Sequence, residues 1–134
     1  MKYTKAKYKY QLSEDITQEL PEIFPVFSDD YFSCDSKILK IFKGYAWDGA
    51  SGPTIDTKNS MEASLVHDCL YQAIRLGVLD RYYKVKADKI FYRILRKHGM
   101  CVVRAVVWFL GVYLFGGGSC KKGKLSGRDV SLSD

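Results

Sequence analysis

A histidine and an aspartate stand side by side inside an apolar helical pattern, and this pair is the most chemically suggestive feature of the sequence. His67 and Asp68 interrupt residues 62–74, in which apolar side chains recur at the spacing of an amphipathic helix. Tyr71, four residues after His67, lies on the same helix face. Asp88 belongs to a second helical pattern, and two antiparallel helices joined by a short turn would bring it against the His67 ring.

An imidazole held by a carboxylate is suited to act as a general base near neutral pH. If Asp88 orients His67 in this way, a carboxylate oxygen is expected within about 3.2 Å of one ring nitrogen. The other ring nitrogen would then face the loop at 44–53. A hydrogen-bonded histidine with a purely structural role is the alternative interpretation.

The loop at 44–53 is rich in glycine and opens directly onto the helix that carries His67. Small residues allow backbone N–H or C=O groups to approach a ligand closely, and Asp48 adds a hard oxygen donor. Asp48 and Gly49 also form an ordinary turn dipeptide, so a simple turn is the competing interpretation.

Hydrophobic periodicity predicts an α+β fold, with an N-terminal antiparallel β-sheet packed on three C-terminal helices. Residues 4–12 alternate like a strand with one solvent-facing side, and residues 31–42 are typical of strand, turn and strand. The sheet is expected from residue 4 to about residue 46. The helices are expected to end before Gly77, to cover about 82–97 and to cover 100–115.

The third helical segment, 100–115, is apolar almost all round apart from Arg104. It is shorter than the roughly 20 residues that a helix needs to span a bilayer. A buried core helix is therefore predicted, and a helix lying on a membrane surface is the alternative.

The length of 134 residues predicts a single α+β domain over 1–118, followed by a flexible basic tail at 119–134. The formal net charge is +6, but the lysines and arginines are dispersed, with one cluster at Lys121, Lys122 and Lys124. This indicates a modest electrostatic bias toward anionic surfaces, and an ordinary solvated surface is the preferred interpretation. Binding to nucleic acid rests on charge alone and is not expected.

The four cysteines form no Cys-x-x-Cys pair, so neither a zinc knuckle nor a redox motif is indicated. Cys69 and Cys101 have apolar neighbours and are predicted to be buried thiols, which favours a reducing compartment. No apolar run follows the basic N-terminal residues, so a signal peptide is not expected, and no transmembrane helix is expected either.

Three segments together resemble the domain-of-unknown-function 1353 family, which is found in phages and prophages. They are Lys43–Pro53, Ala63–Tyr71 and Lys86–Phe91. The resemblance covers about residues 5–118 and implies a viral or prophage setting, with the protein in the virion or the host cytoplasm.

Within that family, the pattern His67-Asp68-x-x-Tyr71 followed by Ala87-Asp88 resembles the catalytic helix pair of the phospholipase A2 superfamily. The resemblance implies that His67 activates water, that Asp88 orients His67 and that Tyr71 assists them. It also implies that Asp68 binds a calcium ion that polarises the ester carbonyl, and Asp48 is the second candidate ligand.

Two functions follow from these patterns. The first is a calcium-dependent hydrolase of phospholipid esters, whose partner would be a membrane. The second is a non-catalytic virion or assembly component that binds other virion proteins and in which the same residues form a structural polar network. A catalytic His67 needs an open path to solvent beside Asp68, whereas a structural one should be covered by Trp47 or Tyr71. The oligomeric state is not predicted.

Overall fold

The computed structural model describes residues 3–6, 9–47 and 58–117. In these ranges the strands all precede the α-helices, so the predicted α+β class is confirmed. The chain divides into two compact units, one of which contains the strands and the other the helices. The predicted boundary at 118 and the predicted basic tail at 119–134 lie at or beyond the end of the described residues.

The strands are β1 (Tyr3–Ala6), β2 (Lys9–Leu12), β3 (Ile16–Glu19), β4 (Phe27–Asp29), β5 (Phe32–Asp35), β6 (Ile38–Ile41) and β7 (Ala46–Trp47). The helices are α1 (Lys58–Arg75), α2 (Lys84–Lys97) and α3 (Val102–Phe115), and a 3-10 turn at Arg81–Tyr83 precedes α2.

The strands form two antiparallel sheets and not the single sheet predicted from the sequence. One has the order β1-β2-β7 and the other has the order β3-β6-β5-β4. Gly44 adopts a positive φ of 99° after β6, and its N–H donates to the carbonyl of Leu12. This turn takes the chain out of the second sheet, so that β7 pairs with β2 through Tyr10 and Trp47.

The predicted strand over 4–12 is in fact two strands, β1 and β2, which pair with each other from Tyr3 and Leu12 to Ala6 and Lys9. Alternation of apolar and polar residues does not distinguish one long strand from two short paired ones. The strand, turn and strand predicted for 31–42 are confirmed as β5 and β6, with Ser36 at a positive φ of 62° between them. The strand unit has an aromatic and aliphatic core of Leu12, Leu20, Phe24, Phe32, Leu39, Ile41, Tyr45 and Trp47.

The helical unit contains α1 and α2 as an antiparallel pair, as the sequence predicts. Near one end of the pair, the His98 ring lies 2.5 Å from a Glu62 carboxylate oxygen, and farther along His67 meets Asp88. Gly77 ends the first helical segment at a φ of 80°, which side chains other than glycine rarely adopt. The inward face of α2 carries five apolar residues, namely Ala87, Ile90, Phe91, Ile94 and Leu95.

Three predictions about burial in the helical unit can be compared with the structure. Cys69 is buried as expected, but Cys101 is exposed because it precedes the first turn of α3. The helical periodicity of residues 82–97 also predicts that Val85 lies on the buried face of α2, but Val85 is 37% exposed. Both errors concern residues near helix ends, where few neighbouring elements are available to cover a side chain.

The prediction that the third helix is buried is wrong. Only Ala105 and Trp108 are buried in α3. The helix contacts α2 along one edge, where the Trp108 ring lies 5.9 Å from the Phe91 ring, and most of its remaining apolar side chains are exposed. Within the described ranges, no helix has the length and apolar content needed to cross a membrane.

Candidate functional site

The centre of the candidate site is the carboxylate of Asp88, which is completely buried in the helical unit. Its Oδ1 atom lies 2.8 Å from His67 Nε2 and accepts a hydrogen bond of 2.6 Å from the Tyr71 hydroxyl. Its Oδ2 atom accepts a hydrogen bond of 2.7 Å from the Lys84 ammonium group. Three donors therefore satisfy a buried anion that would otherwise be very costly.

Two helices position these groups. His67 and Tyr71 are four residues apart on α1, so they lie one above the other on the same face. Because α2 runs antiparallel to α1, Asp88 lies opposite that face, and its distance from the ring meets the limit predicted from the sequence. The structure thus brings together the three residues predicted as catalytic, although their proximity alone does not test that role.

The protonation state of this group follows from the balance of two effects. Burial raises the pKa of Asp88, but the hydrogen bonds from His67, Lys84 and Tyr71 outweigh it and hold the pKa below its ordinary value of 3.8. Near neutral pH Asp88 is therefore a carboxylate, which only accepts hydrogen bonds. In a neutral His67 ring, Nε2 must then carry the proton, and Nδ1 carries the lone pair.

The surroundings of the His67 ring are aromatic. The ring lies 4.0 Å from the Tyr71 ring and 4.9 Å from the Phe91 ring, measured between centroids. His67 is 5% exposed. Among the described residues, the only hydrogen bond of its side chain runs through Nε2 to Asp88.

Sequence reasoning did not identify Lys84 as part of this group. Besides binding Asp88, its ammonium group lies 3.3 Å from the carbonyl oxygen of Val112 and 3.2 Å from that of Tyr113. These carbonyls belong to the last turn of α3, where the negative end of the helix dipole attracts a cation, although the Val112 carbonyl also accepts from the Gly116 N–H. The spacing of four residues between Lys84 and Asp88 was a usable signal, but the contact with α3 is not encoded locally.

Of the two predicted calcium ligands, the structure describes Asp68 but not Asp48. Asp68 is half-buried on α1, next to His67. Asp48 and most of the loop at 44–53 lie outside the described residues, so the expectation that the second ring nitrogen faces this loop stays a prediction. Calcium takes six to eight oxygen ligands. In the ranges that the structure covers, no cluster of three or more His, Cys, Asp or Glu side chains is arranged to hold a metal.

A comparison with protein families gives a match. The model of a family described as protein of unknown function (DUF1353) matches residues 26–112, which is well over half of the chain. The matched range contains Asp88 and all three of its partners. Neither the curated proteins nor the solved structures contain a match to this chain.

Proposed function

The chain belongs to the DUF1353 family, and within that family we propose that it is an ester hydrolase in which His67 is the general base. The observation that supports this most is the contact of 2.8 Å between His67 Nε2 and the buried Asp88 carboxylate. That contact fixes the ring and its tautomer, which are the requirements for a base of this kind.

The reaction needs a water molecule and an ester. Nδ1 of His67 takes a proton from the water while the water oxygen attacks the carbonyl carbon of the ester. When the tetrahedral intermediate collapses, the bond to the alcohol oxygen breaks, and the imidazolium returns the proton to that oxygen. The products are a carboxylic acid and an alcohol. The Asp88 carboxylate stabilises the imidazolium while it carries the extra proton.

The neighbours of Asp88 act as positioning residues. Tyr71 and Lys84 hold the two carboxylate oxygens, so the carboxylate cannot rotate away from His67. Calcium is part of the proposal, with Asp68 and Asp48 as the residues that would hold it, and it would polarise the ester carbonyl when bound. Among the described residues only Asp68 would contribute to such a site. The proton transfers at His67 Nδ1 do not depend on the metal.

The proposed substrate is a phospholipid ester, and the proposed setting is a phage or prophage that breaches or remodels a membrane. The substrate comes from the resemblance of the His67 and Asp88 segments to the phospholipase A2 superfamily, and the setting comes from the resemblance of residues 5–118 to a family found in phages and prophages. The apolar rings of Tyr71 and Phe91 beside His67 are compatible with an acyl substrate.

A non-catalytic role in a virion or assembly is the second candidate, and one observation favours it. His67 is 5% exposed, and the Tyr71 ring covers it at 4.0 Å. In this role the four polar side chains would fix α1, α2 and the end of α3 relative to one another, and the protein would act by binding other virion proteins.

Replacing His67 by Asn or Gln separates the two functions. Either residue keeps a hydrogen-bonding side chain but is not a base at neutral pH, so the hydrolase proposal predicts loss of phospholipid hydrolysis with little change in melting temperature. His98 is the matched control, because it also pairs with a carboxylate but is more exposed. A His98→Gln variant should keep its activity.

Hydrolysis should be assayed on phosphatidylglycerol vesicles at millimolar calcium and again with a chelator. If the parent protein releases no fatty acid in either condition while His67→Gln melts well below the parent, the hydrolase proposal is wrong and the structural role is favoured. A bound calcium ion must also raise the melting temperature of the parent, because a ligand that binds only the native state stabilises it. A smaller rise in an Asp68→Asn variant would place the ion beside His67.

A further inference from the structure

The outward face of α3 is an exposed apolar surface on a helix that the sequence would place in a core. Val103, Val107, Leu110 and Leu114 follow one another at helical spacing and are 75%, 55%, 45% and 63% exposed. Phe115, at the end of the helix, is 83% exposed. We call Val103, Val107, Leu110 and Leu114 the α3 face. Contiguous apolar surfaces of this kind on soluble proteins mark contact sites.

The border of the α3 face is cationic. The rings of Tyr92 on α2 and Phe109 on α3 are in edge contact at 6.3 Å, so the Tyr92 edge of α2 adjoins α3. Lys89 and Arg96 lie three residues before and four residues after Tyr92, on the same edge, and both are exposed. Arg104 is exposed within the first turn of α3 itself.

The sequence around the helix has the same sign of charge throughout. From Lys89 to Arg128, every charged side chain is a lysine or an arginine, with no aspartate or glutamate between them. An apolar helix face bordered by cations matches a membrane surface with anionic headgroups, where apolar side chains enter the acyl boundary and cations meet phosphate. A second copy of the chain would bring two cationic borders together, which is unfavourable.

We infer that the α3 face docks the protein onto an anionic lipid surface. The helix has 14 residues and a length of about 21 Å, so it lies along the surface and does not cross it. The inference does not depend on the proposed hydrolysis, because it rests on the exposure of α3 and on the charges around it, and not on His67 or Asp88.

Co-sedimentation with vesicles tests the inference. The vesicles should contain ether-linked lipids, which have no ester bond, so that binding is measured separately from hydrolysis. Equal parts of phosphatidylglycerol and phosphatidylcholine form the anionic vesicle, and phosphatidylcholine alone forms the neutral one. The parent should bind the anionic vesicles about tenfold more strongly or better, and added salt should reduce the difference.

The variant Val103→Asp/Val107→Asp places two anions on the α3 face and should lower binding to anionic vesicles by about tenfold or more. A matched control is Ile23→Asp/Val26→Asp, in which two apolar residues that are each 72% exposed in the strand unit are changed in the same way. The control should bind like the parent. Far-UV circular dichroism checks folding, and Val103→Ser/Val107→Ser replaces the first variant if it does not fold.

The inference is wrong if the parent does not bind anionic vesicles. It is also wrong if the α3 variant binds as well as the parent, or if both double variants lose binding equally. Light scattering measures the oligomeric state as a further test. If the parent is a dimer that fails to bind vesicles and the α3 variant is a monomer, the α3 face joins two copies of the chain instead.

Discussion

Replacing Asp88 by Asn should strongly destabilise the helical unit. The change removes the charge and leaves one carbonyl oxygen where two carboxylate oxygens accepted bonds from three donors. The Lys84 side chain, which is only 12% exposed, then becomes a cation without its counter-ion. Breaking a buried ion pair from one side costs about 3–5 kcal/mol.

For a chain of this length, each kcal/mol corresponds to about 4 °C in melting temperature, so the expected decrease is about 12–20 °C. The assay is thermal unfolding followed by circular dichroism of the helices. Asp80→Asn is the matched control, because Asp80 is exposed and, in the part of the chain that the structure describes, its side chain accepts only from the Tyr82 N–H, which an Asn side chain can also satisfy. This control should melt within about 2 °C of the parent.

A second variant identifies the source of the cost. Lys84→Met keeps an apolar stem of similar length but removes the cation. If the stranded charge dominates, the double variant Asp88→Asn/Lys84→Met should be more stable than the sum of the two single changes predicts, by about 1–3 kcal/mol. Additive effects would show that the stranded Lys84 charge is not the source of the cost. An Asp88→Asn variant as stable as the Asp80 control would refute the claim that this buried group holds the helices.

Three other predictions concern the same group. The folded-state pKa of Asp88 lies below its ordinary value of 3.8, so the Asp88 carboxylate stabilises the fold above pH 3.8 and loses this effect as pH falls through the folded-state pKa. The difference in melting temperature between the parent and Asp88→Asn should therefore narrow in acid. A difference that stays constant from pH 5 to pH 2 would contradict this. Gly116→Ala should destabilise the protein, since the added methyl group would collide with the Tyr71 hydroxyl. By contrast, a methyl group added at Gly111 meets nothing within 4 Å, so Gly111→Ala should stabilise α3 by about 1 kcal/mol. Equal effects of the two changes in thermal unfolding would show that Tyr71 moves aside freely. Tyr71→Phe should cost about 1–3 kcal/mol in denaturant unfolding, because it removes a hydrogen bond to a buried carboxylate, and no change would mean that this bond contributes nothing.

The sequence predicted the features that depend on local periodicity. The helical spacing around His67 and the second pattern around Asp88 were sufficient to predict an antiparallel pair and the contact between these two residues. Lys84 was missed because its role depends on the last turn of α3, which no local pattern connects to it. The exposure of α3 was missed because an apolar sequence favours burial of the helix but does not identify the element or partner that buries it.

The division into two sheets depends on a long-range pairing. β7 has two residues, and its partner β2 lies more than thirty positions earlier in the chain, as in the pairing of Trp47 with Tyr10. Such a short strand has no periodicity of its own. The left-handed turn at Gly44 is visible in the sequence only as one glycine in a glycine-rich stretch, so the exit from the second sheet was not predictable.

The most direct test of the account is the tautomer of His67, because the proposed base is Nδ1 and requires that Nε2 carry the proton. The chain has two histidines, so a His98→Gln variant leaves His67 as the only imidazole in a nitrogen-15 NMR spectrum. At pH 8 the account predicts a protonated Nε2, bound to Asp88, and an unprotonated Nδ1. A proton on Nδ1 under these conditions would contradict it, since the ring would then have no lone pair to accept a proton from water.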